Sequence, residues 1–135
     1  MESDIVDHVR NLNPPDENSI KIAGFLVEFL EHEQKYGRLP QEMLPIQSGV
    51  GSIANAVLMG LSQSKYENLK MYSEILQDAV FSLIKIGKVS QASGCAFTPS
   101  PNVWQMYKEN PDLYRKSIVL RPLDTVSYTH LTLPT

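Results

Sequence analysis

Glycine and proline cut this chain into short apolar runs that alternate with longer amphipathic ones, and few folds accommodate that alternation. Gly37, Gly49, Gly51, Gly87 and the Pro99–Pro101 pair fall between segments whose hydrophobic spacing switches from two to three and four. Strands that alternate with helices specify α/β architecture with a mainly parallel sheet flanked by helices.

The segments follow in order. Residues 1–18 read as an irregular opening stretch, punctuated by Asn13-Pro14-Pro15-Asp16. Ser19 is placed to cap a helix reaching about Tyr36, with an apolar stripe at Ile22, Ala23, Leu26, Phe29 and Leu30, widened by Phe25 and Val27. Gly37 is then the residue just past its end. Leu44–Gly49 reads as a short buried strand, Ile53–Ser62 as a helix, Leu69–Ile75 as a strand and Leu76–Ile86 as a helix closed by Gly87. Val89–Phe97 is expected as a strand, Asn102–Asn110 as a short helix capped from the Thr98–Pro101 turn, and Ser117–Leu120 as a last strand stopped by Pro122. Residues 19–122 form the expected domain, and residues 123–135 a tail. Within it, the uncharged, threonine-rich Val126–Thr135 fits nothing before it and is expected to be non-native.

Composition excludes several function classes. Of 135 residues, 42% are hydrophobic and 20% charged, enough for one soluble domain with a core. Net charge is −3 with no basic run, which argues against nucleic acid as a partner. No apolar stretch has the length of a membrane span, and the acidic, mixed opening is unlike a secretory leader. The single cysteine, Cys95, allows no intrachain disulfide. A cytoplasmic protein is the expectation. His8, His32 and His130 show no metal-ligand spacing, so no metal is expected.

Two places invite chemistry. Ser48-Gly49-Val50-Gly51-Ser52-Ile53 lies between an expected strand and an expected helix. Its glycines permit close backbone approach, and the helix start behind them presents free N–H groups, a combination able to hold phosphate or an oxyanion. A Gly-x-Gly turn also serves as plain punctuation, and this one lacks the further residues of a dinucleotide or P-loop fingerprint. Glu74 falls at the expected carboxyl end of a strand, where ligands bind in open α/β sheets. A carboxylate there can act as acid, base or nucleophile. Taken alone, the residues favour a solvated acid near a helix start, with Asp78 as another. Lys85, Lys88, Arg115, Lys116 and Arg121 read first as solvated charge, Cys95 as a packed thiol, and Trp104 and Tyr107 as side chains packed on the sheet.

A resemblance shifts that weighting. The run from Gly37-Arg38-Leu39-Pro40 through Leu44-Pro45-Ile46-Gln47-Ser48-Gly49-Val50-Gly51-Ser52-Ile53-Ala54-Asn55 to Gly60-Leu61 resembles acetyl-CoA hydrolase / succinyl-CoA:acetate CoA-transferase proteins. Tyr72-Ser73-Glu74-Ile75-Leu76-Gln77-Asp78, Gly87-Lys88-Val89, Ala92-Ser93-Gly94 and Ser117-Ile118-Val119-Leu120-Arg121-Pro122 continue it in order, over about Asp16 to Pro122. The resemblance implies part of a class I CoA-transferase fold. It implies Glu74 as nucleophile through a glutamyl-CoA thioester, and Gly49, Val50, Gly51, Ser52 and Ile53 as coenzyme A contacts. Coenzyme A or acyl-CoA enters as substrate with a small carboxylate such as acetate or succinate, and no permanently bound cofactor is implied. Acetyl-CoA hydrolysis is the alternative within that chemistry; a non-catalytic coenzyme A-binding module or an inert fragment is the alternative outside it. Family members are longer, with an earlier domain and a later glycine-rich loop, and the full-length parent is expected as a homodimer. The match stops after Pro122, where the family's Ser-Asn-His-Pro segment is missing, so this chain is expected to be inactive alone.

Overall fold

A computed structural model describes residues 15–123. The opening stretch through Pro14 and the tail from Asp124 lie outside the described residues, as does the expectation of a non-native Val126–Thr135.

The first helix, α1 (Glu17–Lys35), is capped by Asp16, whose carboxylate accepts the Ser19 N–H at 2.7 Å. Ser19 is therefore not the cap but a buried residue of the first turns. Both residue types cap well, and the one bounding the proline-rich stretch prevails. Gly37 takes φ +71° immediately beyond the helix, as its position required. Of the expected apolar stripe, only Ala23 is fully buried; Phe25 stays 70% exposed and Phe29 56%. α1 crosses α2 (Ser52–Gln63) where Gly60 meets Ala23, and a Cβ on Gly60 would lie 3.4 Å from that of Ala23.

The central sheet has the order β1 (Leu69–Tyr72), β3 (Val89–Gly94), β5 (Ile118–Leu120), all parallel. A two-stranded parallel ribbon, β2 (Ile75–Leu76) with β4 (Ala96–Phe97), prolongs β1 and β3 past a break. The expected strand 69–75 is thus interrupted at Ser73–Glu74, and 89–97 at Cys95. Leu44–Gly49 forms no strand. Only Ile46 pairs, bridging Met71, while Leu44 is exposed. Pro45 has no N–H to extend a ladder there.

The helix after β2, α3 (Asp78–Lys85), begins two residues later than expected, because Ile75 and Leu76 are spent on β2. Asp78 accepts the Ser100 N–H at 2.8 Å. Gly87, at φ +78°, closes the helix into β3. α4 (Pro101–Glu109) is capped by Ser100 with Pro101 in its first turn. A further helix, α5 (Pro111–Ser117), runs directly into β5, so Ser117 is helical and the strand starts at Ile118.

One face of the sheet carries the core. Leu69, Met71, Val89 and Ala92 meet Val80, Phe81, Leu83 and Ile84 of α3 and Tyr114 of α5. Phe81 is wholly enclosed between Phe97 at 5.8 Å and Tyr114 at 5.6 Å between ring centres. Trp104 and Tyr107 stack on each other at 5.2 Å and on Phe97 of β4. Every strand pair being parallel, the strands' carboxyl ends share one rim, and there the chain breaks at Ser73–Glu74.

Candidate active site

Ile46 brings the glycine segment to that rim. Its N–H donates to the Lys70 carbonyl at 2.8 Å, and its own carbonyl accepts from Tyr72 N–H at 2.9 Å. Two residues on, the Ser48 N–H donates to the hydroxyl of Ser73, a fully enclosed side chain, at 3.0 Å. The turn then passes through Gly51, at φ +142°, a conformation that favours glycine, and α2 starts at Ser52 with no side-chain cap. The first N–H groups of α2 are the unclaimed donors that such a start leaves. Val50 and Ile53 are exposed.

Glu74 follows Ser73 in the break between β1 and β2. Its carbonyl accepts from Cys95 N–H at 2.7 Å and from Ala96 N–H at 3.4 Å, so its backbone is pinned while its side chain is exposed. The Ser73 N–H donates to the Ser93 carbonyl at 2.9 Å. Gly94 makes this packing possible. A Cβ there would sit 2.9 Å from Leu76 Cγ and 3.3 Å from the Glu74 carbonyl oxygen. Among the described residues the Glu74 carboxylate makes no hydrogen bond or ion pair.

The sequence-derived candidates are therefore brought to one rim, with Ser73 linking the glycine turn to the glutamate. Ser73 was not singled out beforehand; its place immediately before Glu74 was the available signal. Arg121 also differs from its reading as solvated charge. Its Nε donates to the Ser93 hydroxyl, its guanidinium carbon lies 3.7 Å from the Tyr72 ring centre, and its two terminal nitrogens are buried. Cys95 is half-buried, its Sγ 3.8 Å from the Pro122 carbonyl. An apolar groove of about 530 Å³ between α1 and α2, lined by Ala23, Val27, Ala56 and Met59, involves neither Glu74 nor the Gly49–Ile53 turn. Among the described residues no group of three or more His, Cys, Asp or Glu is arranged to hold a metal ion, and no helix is long and apolar enough to cross a membrane.

Comparison with known proteins gives this rim a context. Succinyl-CoA:acetate CoA-transferase of Clostridium kluyveri is 44% identical over 116 residues, 86% of this chain. Acetyl-CoA hydrolase of Neurospora crassa is 42% identical over 109 residues, 81% of this chain. Over most of its length the chain is similar to one segment of succinyl-CoA:acetate CoA-transferase and acetyl-CoA hydrolase proteins. It spans about a fifth of these relatives, 22% and 21% of their respective lengths. No protein-family model matches the chain. In solved structures the same fold recurs in 4-hydroxybutyrate CoA-transferase from Porphyromonas gingivalis, at 19% identity and TM-score 0.57, over 86% of this chain and 28% of that one. It recurs again in RipA from Yersinia pestis, at 20% identity and TM-score 0.60, over 90% and 25%. The α/β segment described here is thus a CoA-transferase fold segment, and the expected fold class agrees with it.

Proposed function

We propose that this segment supplies the nucleophile and part of the coenzyme A cradle of an acyl-CoA:carboxylate CoA-transferase, with residues 19–122 as the domain portion concerned. Glu74 attacks the acyl-CoA carbonyl, CoA thiolate leaves, and a mixed anhydride forms. The thiolate returns to the glutamyl carbonyl, freeing the first acid and leaving a glutamyl-CoA thioester. A second carboxylate attacks that thioester, and the expelled thiolate then takes up the new acyl group, regenerating the Glu74 carboxylate. Covalent capture divides one difficult exchange into easier steps. Contacts to the long coenzyme A moiety, at Gly49, Val50, Gly51, Ser52 and Ile53, provide binding energy for positioning the thioester. The observation that supports this reading is the 3.0 Å Ser48–Ser73 hydrogen bond, which ties the residue before Gly49 to the residue before Glu74.

A second reading, acetyl-CoA hydrolysis, is favoured by the exposure of the Glu74 side chain, since water reaching the intermediate would cleave it. The substrates and a cytoplasmic, homodimeric parent remain part of the proposal.

The test uses the 135-residue chain and, beside it, the Clostridium kluyveri relative with its matching segment replaced by residues 16–122. Each is incubated with acetyl-CoA and followed by intact-protein mass spectrometry and by CoA release with and without added succinate. A hydroxylamine-sensitive CoA adduct on the peptide holding Glu74, absent in Glu74→Gln, is the expected result in the chimera. An adduct that survives Glu74→Gln removes the assignment. Succinate-independent CoA release at the full rate selects the hydrolase.

A further inference from the structure

The outer face of α1 carries a regular seam. Asn18, Ile22, Phe25, Phe29, His32 and Tyr36 follow one another at steps of four, three, four, three and four, from the first turn of α1 to its C-cap. All six are exposed, Phe25 to 70%, Phe29 to 56% and Tyr36 to 59%. That 3.5-residue repeat is the spacing by which one helix seats its side chains between those of another. α2 lies on the far side of α1, where Gly60 meets Ala23 and Val27, so no described residue covers the seam. The charged neighbours are engaged elsewhere. Lys21 pairs with Glu17 at 2.7 Å, Arg38 with Glu33 at 2.6 Å, and Glu28 borders the groove on the α2 side. α1 is thus apolar on two faces, and a helix apolar all round belongs in an interior.

The six positions are symmetric about Val27. When two copies lie antiparallel with a two-fold axis there, Phe25 of one meets Phe29 of the other, Ile22 meets His32, and Asn18 meets Tyr36. Each contact occurs twice. A patch that fits itself in this way makes an isologous interface and closes at two copies. We propose that the chain pairs with a second copy of itself through this seam, as an antiparallel two-helix contact. The phenylalanine layers fall nearest the axis, where anchoring side chains count most. The polar members, His32 with its ring stacked on Tyr36 at 4.5 Å and Asn18 at the end, form the rim. With Leu26 beside them, the uncovered parts of these side chains amount to roughly 1,200 Å² in a pair, the lower range for a stable interface. Asp16 and α2 already hold α1 as a helix, so pairing need order no new segment, which keeps its entropic cost low. The pairing goes beyond the transfer reading and does not rest on it, since α1 supplies neither Glu74 nor the Gly49–Ile53 turn.

Sedimentation equilibrium of the 135-residue chain, from low micromolar to millimolar concentration, gives the test. The mass is expected to rise and level off at twice the chain's 15.2 kDa. Phe25→Glu and Phe29→Lys, both at exposed positions, should each raise the dissociation constant at least about tenfold. Mixing the two variants should restore pairing. The two-fold register sets the new acid of one copy against the new base of the other and leaves one Phe25–Phe29 contact intact. Far-UV circular dichroism checks that both variants keep their helices, and the wild-type series needs no variant at all. A chain that stays at 15.2 kDa throughout overturns the proposal and leaves the seam to a different polypeptide. A mass that grows past two copies also overturns it, and points to Phe25 and Phe29 entering the α1–α2 groove of the next copy in an open chain. Pairing that neither variant weakens, or that mixing them fails to restore, overturns the seam or its antiparallel register. The covalent adduct judges the transfer reading separately from all of these outcomes.

Discussion

The Ser48 N–H and the Ser73 hydroxyl meet at 3.0 Å across 25 positions of sequence, and Ser73 is wholly enclosed. Ser73→Ala keeps the backbone but leaves the Ser48 N–H without its acceptor. Stability should fall by about 1 kcal/mol, the usual cost of such a loss. The Ser48 amide should exchange its hydrogen markedly faster while amides of α3 are unaffected. Unchanged exchange at Ser48 would mean that the turn is held by other means.

Gly94 and Gly24 make opposite demands. Gly94→Ala forces a methyl to within 2.9 Å of Leu76 Cγ and 3.3 Å of the Glu74 carbonyl oxygen, and should destabilise by about 1–3 kcal/mol. Gly24 lies inside α1 with open space around a built Cβ. Gly24→Ala should therefore stabilise by about 0.5–1 kcal/mol through helix propensity. Urea unfolding of both variants checks the pair; two changes of the same sign would refute the packing account.

Phe81 anchors the core between Phe97 and Tyr114. Phe81→Ala should cost about 3–5 kcal/mol, a large share of the stability of a domain this size. The loss should appear as a lowered urea midpoint, and a midpoint close to wild type would show that the site collapses to fill the space.

Arg38 grips Glu33 with two hydrogen bonds of 2.6 Å, and this pairing holds the Glu33 carboxyl down at about 2 from an ordinary 4.5. The folded value is the lower one, so the pair's contribution is complete above the unfolded value of 4.5. It is lost as pH falls from there toward 2. A carbon-detected titration of the Glu33 carboxyl should show its midpoint well below the ordinary 4.5, and Arg38→Gln should raise it toward that value. A wild-type midpoint near 4.5 would count against the pairing.

Much of the architecture could be read from residue order, because period and punctuation agree over long stretches. α1, α2 and α3 and the strands at Leu69, Val89 and Ile118 follow from apolar spacing and from Gly37 and Gly87. The departures have local causes. No helix was expected between Asn110 and Ser117, yet Pro111 at the first position of α5 loses no helical bond. Breaks at Ser73–Glu74 and Cys95 divide strands without any change in hydrophobic pattern, since they depend on how β1 and β3 meet around Gly94. The stripe on α1 was legible as apolar, but whether it is covered depends on neighbours. At the candidate site, Glu74 and the glycine turn each had a bland meaning on local pattern. Their common rim comes from the Ile46–Met71 bridge, a tertiary pairing. Arg121 was misjudged because charge on a chain is solvated by default, and its burial against Tyr72 has no sequence signature.

The all-parallel strand arrangement has a practical side. Chain segments arriving at β1 and β3, around Lys65–Asn68 and Ile86–Lys88, turn at the end of the sheet opposite Glu74. A fluorophore or affinity handle attached at exposed Lys65 would therefore track unfolding from the far side of the molecule, leaving the glutamate, the glycine turn and Arg121 unencumbered.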